Sequence, residues 1–107
     1  MKTKLFPKEG LQAGSQDHNA VLVLQLLLLA MGFTREIVLD GHYGLETVKG
    51  VESFQERNGL RPTGKFEDLE LEILSGLVHR DLSRIEIDLP ERSGESEKRF
   101  LAQASAI

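Results

Sequence analysis

Residues 40–54 read DGHYGLETVKGVESF, and how this stretch is interpreted decides the fold. Asp40-Gly41 and Gly44 are turn chemistry, because glycine tolerates positive φ and an aspartate side chain bonds backbone two residues on. The turn feeds a helix predicted over 45–57, in which Val48, Val51 and Phe54 recur at helical spacing, with Leu45 a further member of the stripe. Asn58-Gly59 then ends that helix in the left-handed conformation usual at helix C-termini.

Working outward, the same unit recurs 23 residues downstream. Gly64-Lys65-Phe66 repeats Gly41-His42-Tyr43, Leu71 repeats Val48, and Leu74 repeats Val51. Each copy is a glycine turn, an aromatic beside it and a helix whose apolar stripe follows at a fixed distance. The second helix of the repeat is predicted over 68–78, carrying Leu71, Leu74 and Leu77. Upstream, Ala20 to Met31 reads AVLVLQLLLLAM, with Asp17 as N-cap and Gly32 as the stop. Val21, Leu24, Leu28 and Met31 form its inward stripe, so two repeat units packed against this helix make a compact three-helix unit.

That first helix carries more apolar surface than such a unit can use. Leu22, Leu26 and Leu29 form a second stripe, and Val23, Leu27 and Ala30 a third. A helix apolar on every side is normally buried on every side. Either the lead-in and the tail (Ile85, Ile87, Leu89) cover the surplus, or another protein does. Residues 1–16 read as an irregular lead-in containing Pro7, Gly10 and Gly14, with Leu5, Phe6 and Leu11 available to the core. Residues 84–89, RIEIDL, alternate like a short strand with no evident mate in the chain, so the strand is expected to add to a sheet elsewhere. Residues 91–107 read as a flexible or helical tail. The domain plan is therefore an arm at 1–10, a helical domain at 11–78 and an extension at 79–107.

Composition narrows the function. The 107 residues carry 17 acids against 13 bases, for a net charge of -4, which does not supply the basic surface that phosphate backbones require. No nucleic-acid partner is expected. Cys 0 removes disulfides, thiolate metal sites and cysteine nucleophiles, and Trp 0 with Tyr 1 argues against a large aromatic sugar-stacking platform. His18, His42 and His79 show no metal-ligand spacing, and no nucleophile motif is present. No catalytic residues, metal or cofactor are expected, and the chain does not read as an enzyme. The run after Lys2, Lys4 and Lys8 ends in Ala30-Met31-Gly32 and imitates a signal peptide. Its leader would contain Glu9, Gly14 and Asp17, however, and the run falls short of the about 20 apolar residues that span a bilayer. It is read as a buried helix, without an export signal or membrane span.

Taken together, these residues resemble the small peptidoglycan-binding domain found at the ends of many cell-wall hydrolases. The resemblance begins at Leu11 and Gly14 and runs through Val21, Leu24-Gln25, Leu28 and Gly32-Phe33. It is strongest over Asp40-Gly-His-Tyr-Gly44, Thr47, Val51, Phe54-Gln55, Gly59-Leu60 and Thr63-Gly64. It implies an all-α, three-helix orthogonal bundle that binds cell-wall glycan or stem peptide without catalysis. Two departures stand out. Glu67 and Glu70 replace a turn glycine and a threonine of the second unit, setting two carboxylates beside the surface that would meet the wall, and position 45, often proline, is Leu.

Asp40, His42, Tyr43 and Thr47, with Gln25 and Gln55, are the candidate ligand contacts. Asp40 and Thr47 are also what a turn and a helix start select on their own. The two glutamines either bond backbone amides across the helix junction or line a groove with Tyr43, and bracing is the preferred role. Leu22, Leu26 and Leu29 are the candidate interface for a protein partner or a second copy, together with the extension. The alternative function is a structural or adaptor subunit of a phage tail or contractile injection apparatus. Synthesis in the cytoplasm, with action at the cell envelope or in such a particle, is the expected localisation.

Overall fold

The computed structural model describes residues 2–88. Three helices, α1 His18–Ala30, α2 Leu45–Arg57 and α3 Asp68–Leu77, form the body. A 3₁₀ turn at Leu82–Arg84 follows α3, and two short strands, β1 Lys2–Lys4 and β2 Glu86–Asp88, pair antiparallel with Thr3 opposite Ile87. Asp17 caps α1 as expected, accepting the Ala20 N–H at 3.2 Å, and α2 has the bounds read from the sequence.

The core centres on Phe54, which is fully buried. Its ring meets Phe33 edge-on, with centroids 5.0 Å apart, and lies 6.1 Å from Phe66, which in turn lies 6.0 Å from Phe6. Leu11, Val21, Leu24, Leu28, Val51 and Leu74 fill the space around this aromatic row. The chain's hydrophobic centre is thus assembled from the lead-in, all three helices and the second glycine turn.

Four expectations are corrected. The strand at 84–89 has its mate within the chain, because β1 in the lead-in pairs with it. The lead-in is accordingly not irregular throughout: the Leu5 N–H bonds the Ile85 carbonyl at 2.8 Å, and Leu5 and Phe6 are buried in the core. Met31 is not part of the inward stripe of α1. The helix ends before it, which leaves its side chain exposed, and Ala20 and Gln25 are buried instead. Leu77 and Leu45 face outward, while Ile73 packs against the core.

The surplus apolar stripes of α1 part ways. Val23 and Leu27 are half-buried against the core, as are Ile85 and Ile87. Ala30, the last member of that stripe, is exposed. Leu22, Leu26 and Leu29 are 40%, 51% and 37% exposed, so no described residue covers the second stripe. Leu89, proposed as part of that cover, and the tail at 91–107 lie outside the described residues.

Candidate functional site

The two glycine turns are built alike, each around the side-chain amide of a buried glutamine. In the first, Gln25 of α1 accepts the Gly41 N–H at 2.9 Å and the Asp40 N–H at 3.2 Å. Its amide nitrogen faces the His42 carbonyl and the Thr47 hydroxyl, both at 2.9 Å, and the Asp40 carboxylate at 3.2 Å. In the second, Gln55 of α2 accepts the Gly64 N–H at 3.0 Å, and its nitrogen faces the Lys65 carbonyl at 3.0 Å, the Thr63 hydroxyl at 2.9 Å and Glu70 at 3.3 Å. Asp40, Gly41, His42 and Thr47 correspond one by one to Thr63, Gly64, Lys65 and Glu70 at the repeat distance of 23. An amide suits this position because it offers an acceptor and donors at once, and each turn presents both an N–H and carbonyl or hydroxyl oxygens.

Glycine is required at both turns for two reasons. Gly41 and Gly64 have φ of +74° and +76°, and a Cβ would lie 2.9 Å from the His18 carbonyl oxygen at the first and 2.8 Å from Val48 at the second. Tyr43 ties the turns to each other, donating its hydroxyl to the Gly64 carbonyl. Burial pushes the Tyr43 phenol well above its ordinary value, and the neighbouring carboxylates of Glu70 and Glu52 push it further. The lead-in completes the frame: Leu11 and Phe66 exchange backbone bonds of 2.7 and 2.8 Å, and the Gly14 N–H bonds the Tyr43 carbonyl at 3.2 Å.

Of the six candidate contacts, the structure buries four. Gln25, Tyr43, Thr47 and Gln55 are committed to this internal bonding. Asp40 and His42 remain on the surface. The Asp40 carboxylate accepts the His42 N–H at 2.9 Å, and this bond, followed by that from Gln25, holds its carboxyl below the usual carboxylate value.

His18 joins them, although its position in the sequence gave no sign of it. Its Nδ1 lies 2.9 Å from the Gly41 carbonyl, which can only accept, so Nδ1 carries the proton. The two imidazoles meet edge-on with centroids 4.8 Å apart. Glu70 also departs from the sequence reading. Instead of facing the wall beside Glu67, it is buried, bonds Gln55 and accepts the Glu67 N–H at 2.9 Å. The repeat itself carried that signal, since Glu70 stands where Thr47 stands in the first unit. Among the described residues, no cluster of three or more His, Asp or Glu could hold a metal ion. No described helix is long and apolar enough to cross a membrane.

This frame of helices and paired turns coincides with a family match. The model described as "Putative peptidoglycan binding domain" matches residues 17–74, more than half of the chain. The chain belongs to this family. No curated protein and no solved structure matches it significantly. The match of the peptidoglycan binding domain opens at the N-cap of α1 and closes at Leu74, the fully buried residue of α3, so it takes in both glutamine-braced turns. The strands and the 3₁₀ turn lie outside it.

Proposed function

We propose that this chain is a non-catalytic module that holds a protein to peptidoglycan. Its family membership across all three helices carries this reading. Asp40 and His42 are its proposed wall contacts, while Gln25, Tyr43, Thr47 and Gln55 act from beneath by fixing the shape of the turns. The buried carboxylate of Glu70 is spent on a helix start and on Gln55. Sedimentation with insoluble cell-wall sacculi tests the reading. The protein should pellet with them and release no soluble wall fragments, and D40A/H42A should pellet less while remaining folded by circular dichroism. Protein left wholly in the supernatant refutes it.

A second reading, an assembly subunit, is favoured by one observation, the outward stripe of Leu22, Leu26 and Leu29. No Asp, Glu, Lys or Arg occurs in α1, so two copies could meet along this face without charge repulsion. Sedimentation velocity decides it: a dimer that L26E converts to a folded monomer supports the reading, and a monomeric parent at high concentration removes it.

A further inference from the structure

A concavity runs along α3, from its first residue Asp68 to the 3₁₀ turn that follows the helix. It measures about 670 Å³ and is lined by Asp68, Leu71, Glu72, Ser75, His79, Arg80 and neighbours. That volume is within the range of small-ligand clefts, about 300–1,000 Å³. Two-thirds of the lining, from Ser75 onward, lies beyond the family match.

Its charges differ in how they are used. Asp81 is consumed locally, capping the 3₁₀ turn through Ser83 and pairing with Arg84 at 3.1 Å. Asp68 and Glu72 sit one helical turn apart on α3 and have no cation within ion-pair distance among the described residues, and the Arg80 guanidinium likewise has no carboxylate. Two like charges at i, i+4 oppose each other. Arg80, the one arginine in the lining, with His79 beside it, is left without a carboxylate although acids share the cleft with it. The lining therefore offers an anionic pair, a separate cation and the apolar side chain of half-buried Leu71.

The aromatic inventory points the same way. Tyr43, Phe6, Phe54 and Phe66 are buried, and Phe33 is half-buried with Arg57 lying 5.5 Å over its ring. Among the described residues, no exposed Phe, Tyr or Trp ring is available to stack on a sugar. A cell-wall stem peptide, in contrast, is short, carries methyl side chains and bears both an ammonium and carboxylates.

We infer that the cleft between α3 and the 3₁₀ turn binds the stem peptide of peptidoglycan. Asp68 and Glu72 take the ammonium of its diamino acid, Arg80 takes a carboxylate, and Leu71 packs against an alanine methyl. The inference rests on the peptidoglycan reading above and says which component of the wall is held.

The test is a ¹⁵N-resolved NMR titration of the full chain with a synthetic stem tetrapeptide. It is run beside pelleting with intact sacculi and with sacculi from which an amidase has removed the peptides. The tetrapeptide should shift the amides of Leu71, Glu72, Ser75 and Arg80. E72Q and R80A, both surface changes, should each weaken binding about tenfold without altering the melting temperature, as loss of a charge-assisted contact implies. Pelleting should fall when the peptides are stripped. Undiminished pelleting with stripped sacculi overturns this inference and leaves the peptidoglycan reading intact, as does binding that E72Q and R80A leave unchanged. Failure to pellet with intact sacculi overturns both.

Discussion

Replacing Gln25 tests whether the glutamine amide, rather than the glycine turn alone, sets the geometry of the exposed Asp40–His42 surface. Gln25 is 1% exposed and serves the Gly41 and Asp40 N–H groups together with the His42 carbonyl and the Thr47 hydroxyl. In Q25L the volume is nearly kept while every one of these bonds is lost. The Gly41 N–H and the Thr47 hydroxyl are both buried, and a buried polar group left without a partner costs about 1–3 kcal/mol. The Thr47 hydroxyl retains a long contact of 3.4 Å to the His42 carbonyl, which softens its share. The expected loss is therefore about 3 kcal/mol, a large fraction of the total for a domain of this size, about 5–10 kcal/mol. Urea denaturation followed by circular dichroism should show a lower midpoint with an unchanged slope. Hydrogen exchange should show lost protection at the Gly41 amide. A Q25L protein within about 0.5 kcal/mol of the parent, with Gly41 still protected, would refute the bracing role and return the turn to local backbone preference.

Three further outcomes are expected. F54A should lose about 3–5 kcal/mol, since Phe54 is fully buried between Phe33 and Phe66, and a melting temperature within a few degrees of the parent would place the core elsewhere. His79 holds φ +55° at the end of α3, where its N–H and that of Arg80 close the helix onto the Gly76 and Ser75 carbonyls, so H79G should gain about 1 kcal/mol and a few degrees in melting temperature. No gain would mean that the imidazole makes a compensating contact. The Asp40 carboxyl is held below its ordinary 3.8, so its contribution is present at neutral pH and disappears as acid protonates it. D40N should accordingly flatten the fall in stability below about pH 4, and parallel acid limbs for variant and parent would remove this contribution.

The sequence by itself determined what depends on neighbours along the chain. Asp17 as a cap, Leu45 to Arg57 as a helix and Asp40-Gly41 as a turn follow from preferences that act over three or four residues. The repeat of turn and helix was legible for the same reason, since both copies obey one local rule. Tertiary structure decided whatever needs partners distant in the chain. Glu70 is an internal acceptor rather than a wall-facing charge because Gln55 stands across from it. Tyr43 braces rather than reaches outward because the Gly64 carbonyl lies within range of its hydroxyl. His18 belongs to the first turn because α1 passes beneath it. The strand at the end of the described chain is paired because residues 2–4 return to its side, an encounter that alternation in RIEIDL could not reveal. Leucine stripes read alike in sequence. Whether Leu24 is buried and Leu26 exposed is set by which face of α1 meets α2 and the core, and that is a property of packing, not of the residues themselves.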